Sequence, residues 1–193
     1  MKKINLLAIT IVFLMAQTIV FGSDMQKPDM SSGDSIAKCP EMNIIVKEVK
    51  AVKALTINAT APSMEVGAKL GELYPKLMNY IKEKEIQMAG PPFAIYHKWD
   101  PQGDTELAAG IPVAAETGGE GEIEYVEFPA MKVVTSIHFG SYESVGPIYE
   151  DIQKYINKKG LKINGSSWEL YLIGPDTETD ANKYQTQIYF PVE

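Results

Sequence analysis

The chain has 193 residues, of which 45% are hydrophobic and 22% charged, with 15 glycines and 12 prolines. That balance excludes disorder throughout and suffices for one domain with its own core. Its 18 basic residues, every one a lysine, stand against 25 acidic ones for a net charge of -7. Without arginine the chain lacks the guanidinium forks that clamp phosphates, which argues against nucleic acid as a partner; an acidic field favours neutral or cationic ligands, although solubility alone accounts for a charge of this size.

Met1, Lys2 and Lys3 precede an apolar run over 4–21 that ends in Gly22 and Ser23. A basic start, a hydrophobic middle and small residues at the end form the pattern of a secretory signal cleaved before Ser23. The alternative is an uncleaved membrane anchor, which Asn5, Thr10, Gln17 and Thr18 weaken by diluting the run. Residues 1–22 are therefore expected to be a signal peptide and the mature protein periplasmic or secreted, with no stable membrane association after cleavage. Residues 23–41, built of Asp, Lys, Pro, Ser and Gly with scattered Met, bury too little apolar surface to order themselves and are expected to be a flexible linker. The single cysteine, Cys39, has no partner for an intramolecular disulfide, and Lys38 before it departs from the small residues that a lipid-anchoring signal needs.

Folded sequence begins near Met42, where Ile44-Ile45-Val46-Lys47-Glu48-Val49 is the first strand signal. An internal repeat organises the chain from there to its end. Tyr74-Pro75-Lys76-Leu77-Met78-Asn79-Tyr80-Ile81 and Tyr149-Glu150-Asp151-Ile152-Gln153-Lys154-Tyr155-Ile156 lie 75 positions apart, as do Gly90 and Gly165, and Tyr96 and Tyr171. On either side the spacing becomes 79, which matches Val52-Lys53-Ala54-Leu55-Thr56 with Met131-Lys132-Val133-Val134-Thr135 and Ile111-Pro112-Val113 with Phe190-Pro191-Val192. Two copies, about 43–114 and 122–192, make up a domain over 42–193, linked by the Gly- and Glu-rich stretch 115–121.

Each copy reads strand, helix, strand, strand. Apolar, β-branched runs at 52–59 and 133–139 open the copies. Val66, Leu70, Leu73, Leu77, Tyr80 and Ile81 recur at three- and four-residue steps in the first helix, as Val145, Ile148, Ile152, Tyr155 and Ile156 do in the second; these are the stripes of helices that face a core. Gly160 is placed to cap the second helix, and Lys82, Lys84, Lys158 and Lys159 complement the helix dipoles. Strands at 93–99 and 168–173 follow the helices, and closing strands at 108–114 and 184–191 each carry a proline near the end. The pattern predicts an α+β fold of two pseudo-symmetric strand-helix-strand-strand copies with a central ligand groove.

In Ser167-Trp168-Glu169-Leu170-Tyr171-Leu172 one carboxylate interrupts an apolar strand. Taken alone, Glu169 lies either on the wet face of a half-buried strand or inside, where an unpaired carboxylate is costly. Aligning the copies sets Phe93-Ala94-Ile95-Tyr96-His97 on Trp168-Glu169-Leu170-Tyr171-Leu172, so Glu169 shares a face with Tyr171 and Tyr96, and Ala94 is its counterpart. Phe93, Ile95, Trp168, Leu170 and Leu172 form the opposite face, which is expected to pack on the helices. Glu169, Tyr171 and Tyr96 are then expected on the helix-free face, lining the groove. Rings around one carboxylate suit a small apolar or cationic organic molecule, through apolar contact, cation–π attraction on the order of 0.5–2 kcal/mol per ring, and charge neutralisation. Tyr142 and Trp99 are expected at the rim.

The arrangement resembles the GyrI-like small-molecule-binding domain, the effector-binding domain of multidrug-sensing transcription regulators. The resemblance runs over about 43–193 and is carried by several motifs. His138-Phe139-Gly140-Ser141-Tyr142 looks like the family's His-x-Gly-x-Tyr before the second helix, and Trp168-Glu169-Leu170-Tyr171 like its Glu-x-Tyr strand. Trp99-Asp100-Pro101 follows the first-copy strand, and Gly110-Ile111-Pro112-Val113 and Thr186-Gln187-Ile188-Tyr189-Phe190-Pro191-Val192 end the two copies. The resemblance implies a pocket between the copies, Glu169 in the position of the pocket carboxylate, and multidrug binding as the family activity. Gln187 stands where many members carry Glu. A signal peptide in place of a helix-turn-helix segment implies a stand-alone exported version rather than a regulator.

His97 and His138 are the only histidines and lack further ligands at helpful spacing, so no metal or cofactor is expected. His138 reads as a hydrogen-bonding residue in the turn before the second helix; Ser136 and Ser141 are near it in sequence, which is no evidence of a nucleophilic triad. The alternative to a binding protein is a hydrolase of reactive xenobiotics, as some relatives of the family are, with Glu169 activating water after burial raises its pKa. A haem-binding module of the similarly built SOUL family has only the two histidines to offer as ligands, and a protein inhibitor like the gyrase-inhibiting relatives is separated from a gyrase by export.

Overall fold

The computed structural model of the chain describes residues 43–193; the expected signal peptide over 1–22, the linker over 23–41 and Cys39 lie outside the described residues. Ten elements run in order along the chain: β1 (Ile45–Val49), β2 (Val52–Pro62), α1 (Val66–Glu83), β3 (Phe93–Lys98), β4 (Asp104–Pro112), β5 (Glu124–Phe128), β6 (Met131–Phe139), α2 (Gly146–Lys159), β7 (Ser167–Ile173) and β8 (Gln185–Pro191). The strand-helix-strand-strand reading of each copy holds. The α+β class and the pseudo-symmetry hold with it.

All eight strands join one antiparallel sheet in the order β1-β6-β8-β7-β3-β4-β2-β5. Read outward from the centre, the order pairs repeat partners: β7 with β3, β8 with β4, β6 with β2, and β1 with β5. The pseudo-twofold axis therefore passes between β3 and β7, where Ala94 faces Glu169 directly.

Two features were not foreseen. The segment 124–128 is a fifth strand of its own, and the edge strands are exchanged: β1 pairs with β6 of the other copy, and β5 with β2. Only two residues separate β1 from β2, and two separate β5 from β6. Three peptide steps reach at most about 11 Å, whereas β1 and β2, six strands apart in a flat sheet, would be separated by about 29 Å. The sheet must therefore curl until its edges approach each other.

The curl settles which face is which, and it reverses the expectation. Helix α1 buries Val66, Leu70, Leu73, Leu77 and Ile81 against Leu55, Ile57, Ala94, Leu107, Ala109 and Ile111, with Tyr96 and Tyr171 packed alongside. Helix α2 sets Ile148, Ile152 and Ile156 on Val134, Ile188 and Phe190, and Ile188 is the cross-strand partner of Glu169. Both helices thus cover the face that carries Ala94, Tyr96, Glu169 and Tyr171. Leu172, at a register break between Tyr171 and Ile173, is exposed, while Phe93, Ile95, Trp168 and Leu170 lie on the helix-free face, which folds in on itself. There Phe93 meets Phe128 edge to face at 5.8 Å, and Trp168 stacks on Tyr189 at 4.8 Å. An apolar strand face needs burial, not specifically a helix, and the curl supplies it.

Helix ends follow local chemistry. Gly160 closes α2 in the left-handed conformation at φ 67°, where its N–H meets the carbonyls of Asn157 and Ile156. No helix among the described residues is long and apolar enough to cross a membrane.

The inner face is packed tightly enough to test. Phe93 lies across from Gly110 in the ladder, and a Cβ at 110 would run into its ring. Gly110→Ala should lower stability by about 1–3 kcal/mol, read as a drop in the urea midpoint with the slope unchanged.

Candidate functional site

Strand alternation sends Ser167, Glu169 and Tyr171 of β7 to the helix-covered face at the centre of the sheet, beside Ala94 and Tyr96 of β3. Tyr74 and Tyr149 come down on them from α1 and α2. The Tyr149 hydroxyl donates to Glu169 Oε1 at 2.8 Å. Those of Tyr171 and Tyr96 donate to Oε2 at 2.9 and 3.1 Å, and the latter two hydroxyls are 3.3 Å apart. The Tyr74 ring stands edge-on to Tyr171 at 6.2 Å, anchored by its hydroxyl donating to the Phe93 carbonyl at 2.8 Å.

Glu169 is 6% exposed. Burial pushes its pKa up; the hydroxyls of Tyr149, Tyr171 and Tyr96 and the nearby charge of His138 pull the other way, and the net direction is upward. Burial likewise raises Tyr171, Tyr149, Tyr96 and Tyr74, so all four remain protonated donors through neutral pH. None of the ion pairs among the described residues involves Glu169.

Of the residues singled out from sequence, Glu169, Tyr171 and Tyr96 come together. Tyr142, in the short 3-10 turn Tyr142–Ser144, rests its ring on Tyr171 at 5.5 Å and on Tyr184 at 5.3 Å. Burial beside Tyr184 and Glu169 lifts its pKa to about 12. Trp99 is 57% exposed and touches the group only edge-on through Tyr96, at 6.3 Å. What the sequence casts as an open groove is filled in this structure by tyrosine rings, because a desolvated carboxylate is stable only with donors drawn in around it.

Tyr74 and Tyr149 were missed. They are repeat partners at the same spacing as Tyr96 and Tyr171, which marks them as part of the same symmetric feature, but their place beside the helix stripes reads as core. His138 lies in β6 rather than in the turn after it; its Nε2 is 3.1 Å from the Ser141 carbonyl and 3.0 Å from Ser144 Oγ. His97 is the penultimate residue of β3, exposed, with Nδ1 3.2 Å from Ser166 Oγ. Gln187 is on the inner face, donating to Thr135 Oγ1 at 3.2 Å, and so takes no part in the cage. Among the described residues no group of three or more His, Cys, Asp or Glu side chains is arranged to hold a metal.

The fold agrees with the sequence comparison: the chain belongs to the GyrI-like small molecule binding domain family, whose profile matches residues 42–193. Among solved structures, the EcmrR C-terminal domain superposes with a TM-score of 0.69 at 22% identity, covering 79% of this chain and 98% of that one. In the EcmrR–DNA complex the TM-score is 0.70 at 22% identity, over 78% of this chain but only 57% of that chain. A hydrolase from Listeria innocua matches at 0.57 and 14% identity (81% and 94% coverage). SAV2435 bound to tetraphenylphosphonium matches at 0.56 and 16% (79% and 94%). At these identities the likeness is one of fold. No curated protein matches the chain.

The raised pKa of Glu169 makes stability depend on pH in a definite sense. Folding favours the protonated form, so the contribution is fully present below the ordinary carboxyl value of 4.5 and is lost as pH rises through the higher native value. The thermal midpoint of the unliganded protein should fall over that interval relative to Glu169→Gln, which has no proton to lose there.

Proposed function

We propose that the protein is an exported small-molecule-binding protein that holds an apolar, cationic organic ligand between its two repeats, with Glu169 as the countercharge and Tyr96, Tyr149 and Tyr171 as the aromatic wall. The observation that carries this reading is a nearly fully buried carboxylate, held by three hydroxyls and paired with no cationic side chain among the described residues. A ligand cation supplies the missing charge, and the rings supply apolar contact and cation–π attraction. Tyr142 and Trp99, at the edge of the cage, are the rim contacts. Export is inferred from the signal-like residues 1–22 and is checked by cell fractionation: periplasmic or culture-fluid recovery of a chain beginning near Ser23 supports it, and recovery of the intact chain in the cytoplasm opposes it.

Tetraphenylphosphonium is a suitable probe, since SAV2435, which shares the fold, binds it. Calorimetric titration should show saturable binding, and Glu169→Gln should weaken it about 30-fold or more, the scale of removing one partner of a buried charge pair. Affinity should also rise with pH through the titration of Glu169, because the cation must displace its proton. Unchanged affinity in the Gln variant would sink the countercharge role.

The hydrolase reading draws on the same raised pKa, which suits a general base. Three accepted hydrogen bonds, however, already occupy most of the lone-pair positions of the carboxylate. Incubation with a reactive electrophile should accordingly show no catalytic turnover; multiple turnovers abolished by Glu169→Gln would favour hydrolysis instead.

A further inference from the structure

The two halves of the helix-covered face are related by the repeat, yet they differ chemically in one consistent direction. Ile57, Ala59, Ala94 and Leu107 in the first copy correspond to Ser136, His138, Glu169 and Thr186 in the second. Every one of these four positions is apolar on the α1 side and polar on the α2 side. The ladder brings the second set together: Thr186 lies directly between His138 and Tyr171, and Ser136 and Glu169 flank Ile188 on either side. Ile188 packs beneath α2, so Ser136 and Thr186, which share its face, point into the space between sheet and helix.

Two of these side chains are in an unusual state. Ser136 is 2% exposed and Thr186 is 0% exposed, and their hydroxyls are the buried side-chain polar atoms without a hydrogen-bond partner among the described residues. Buried hydroxyls are ordinarily satisfied, and leaving them alone costs stability. Their apolar counterparts Ile57 and Leu107 show that the fold does not need polar groups at these positions. Tyr142, whose ring covers Tyr171 beside Thr186, has no hydrogen-bond partner for its own hydroxyl among the described residues. The cage tyrosines beside it are tied down by theirs, whereas Tyr142 is held by ring contacts with Tyr171 and Tyr184.

We propose that Ser136 and Thr186 form a hydrogen-bonding arm of the Glu169 site, and that the ligand is an amphiphilic cation bearing a hydroxyl or carbonyl group on the side turned toward α2 and an apolar body on the side turned toward α1. This rests on the cation-binding reading of Glu169 and narrows the ligand class within it. The first copy supplies the apolar half through Ile57, Ala94 and Leu107; the second supplies charge and hydrogen bonds. Diagonal neighbours on adjacent strands are about 7–8 Å apart, which sets the separation between the cationic centre, near Glu169, and the polar group, near Thr186.

The test compares tetraphenylphosphonium with its analogue carrying one para-hydroxymethyl group, titrated into the chain and into Thr186→Val and Ser136→Ala. The hydroxymethyl cation should bind about fivefold to tenfold more tightly than the parent, the worth of one net hydrogen bond. Thr186→Val, or the double variant, should bring that ratio to about one. Thr186→Val should also raise the thermal midpoint of the unliganded protein by about 3 °C, since it removes an unsatisfied group without changing shape. If the parent cation binds but the hydroxymethyl group confers no advantage, or if the advantage survives in the double variant, the arm is wrong while the Glu169 site stands. If Thr186→Val lowers the midpoint, the hydroxyl is structural and the arm is again wrong. If neither cation binds, the Glu169 reading fails and takes this inference with it.

Discussion

A desolvated carboxylate at the centre of the sheet, caged by hydroxyls from both repeats, joins the two halves of the fold. Glu169 sits where β7 meets β3, under both helices, and its two oxygens accept three tyrosine hydroxyls. Those tyrosines come from three elements: β3 of the first copy, and β7 and α2 of the second. The network therefore ties the two repeats together through a single side chain. Its cost is the desolvation that drives the pKa of Glu169 upward despite those bonds, and such a cost is commonly found where a protein keeps a group for function rather than for stability.

The architecture that allows this is a sheet without a free apolar face. Exchange of β1 and β5 between the halves, through connections of two residues, forces the strands to curl. Curling brings Phe93 of β3 against Phe128 of β5 on the same face where Trp168 stacks on its cross-strand partner Tyr189. Both helices are thereby left on the outer side, α1 over the β2–β4 half and α2 over the β6–β8 half. Because the helices lie on the Glu169 face, Tyr149 of α2 reaches the carboxylate and Tyr74 of α1 packs on Tyr171.

Duplication explains both the symmetry of the cage and its polarity. Tyr74 with Tyr149 and Tyr96 with Tyr171 are equivalent pairs, so the aromatic framework obeys the twofold axis, whereas Glu169 facing Ala94 breaks it. Asymmetry at a near-symmetric site lets one fold present chemically different halves to a ligand without altering the backbone that positions them.

The repeat, the element order within each copy, the core stripes of both helices and the left-handed cap at Gly160 are legible from the residues alone. Each of these is written locally, in spacing or in a residue's own conformational range. The residues also show that Glu169, Tyr171 and Tyr96 share a face, since alternation along a strand is a local property. Which face that is follows from packing across the whole fold. The outcome depends on the exchange of edge strands and the curl it imposes, pairings between residues far apart in the chain for which no local pattern codes. The same long-range packing brought Tyr149 and Tyr74 off their helices onto the sheet, and set Ser136 and Thr186 beneath α2 with no partner among the described residues, because whether a helix residue or a strand hydroxyl meets a carboxylate, a ring or nothing depends on what the fold lays across it.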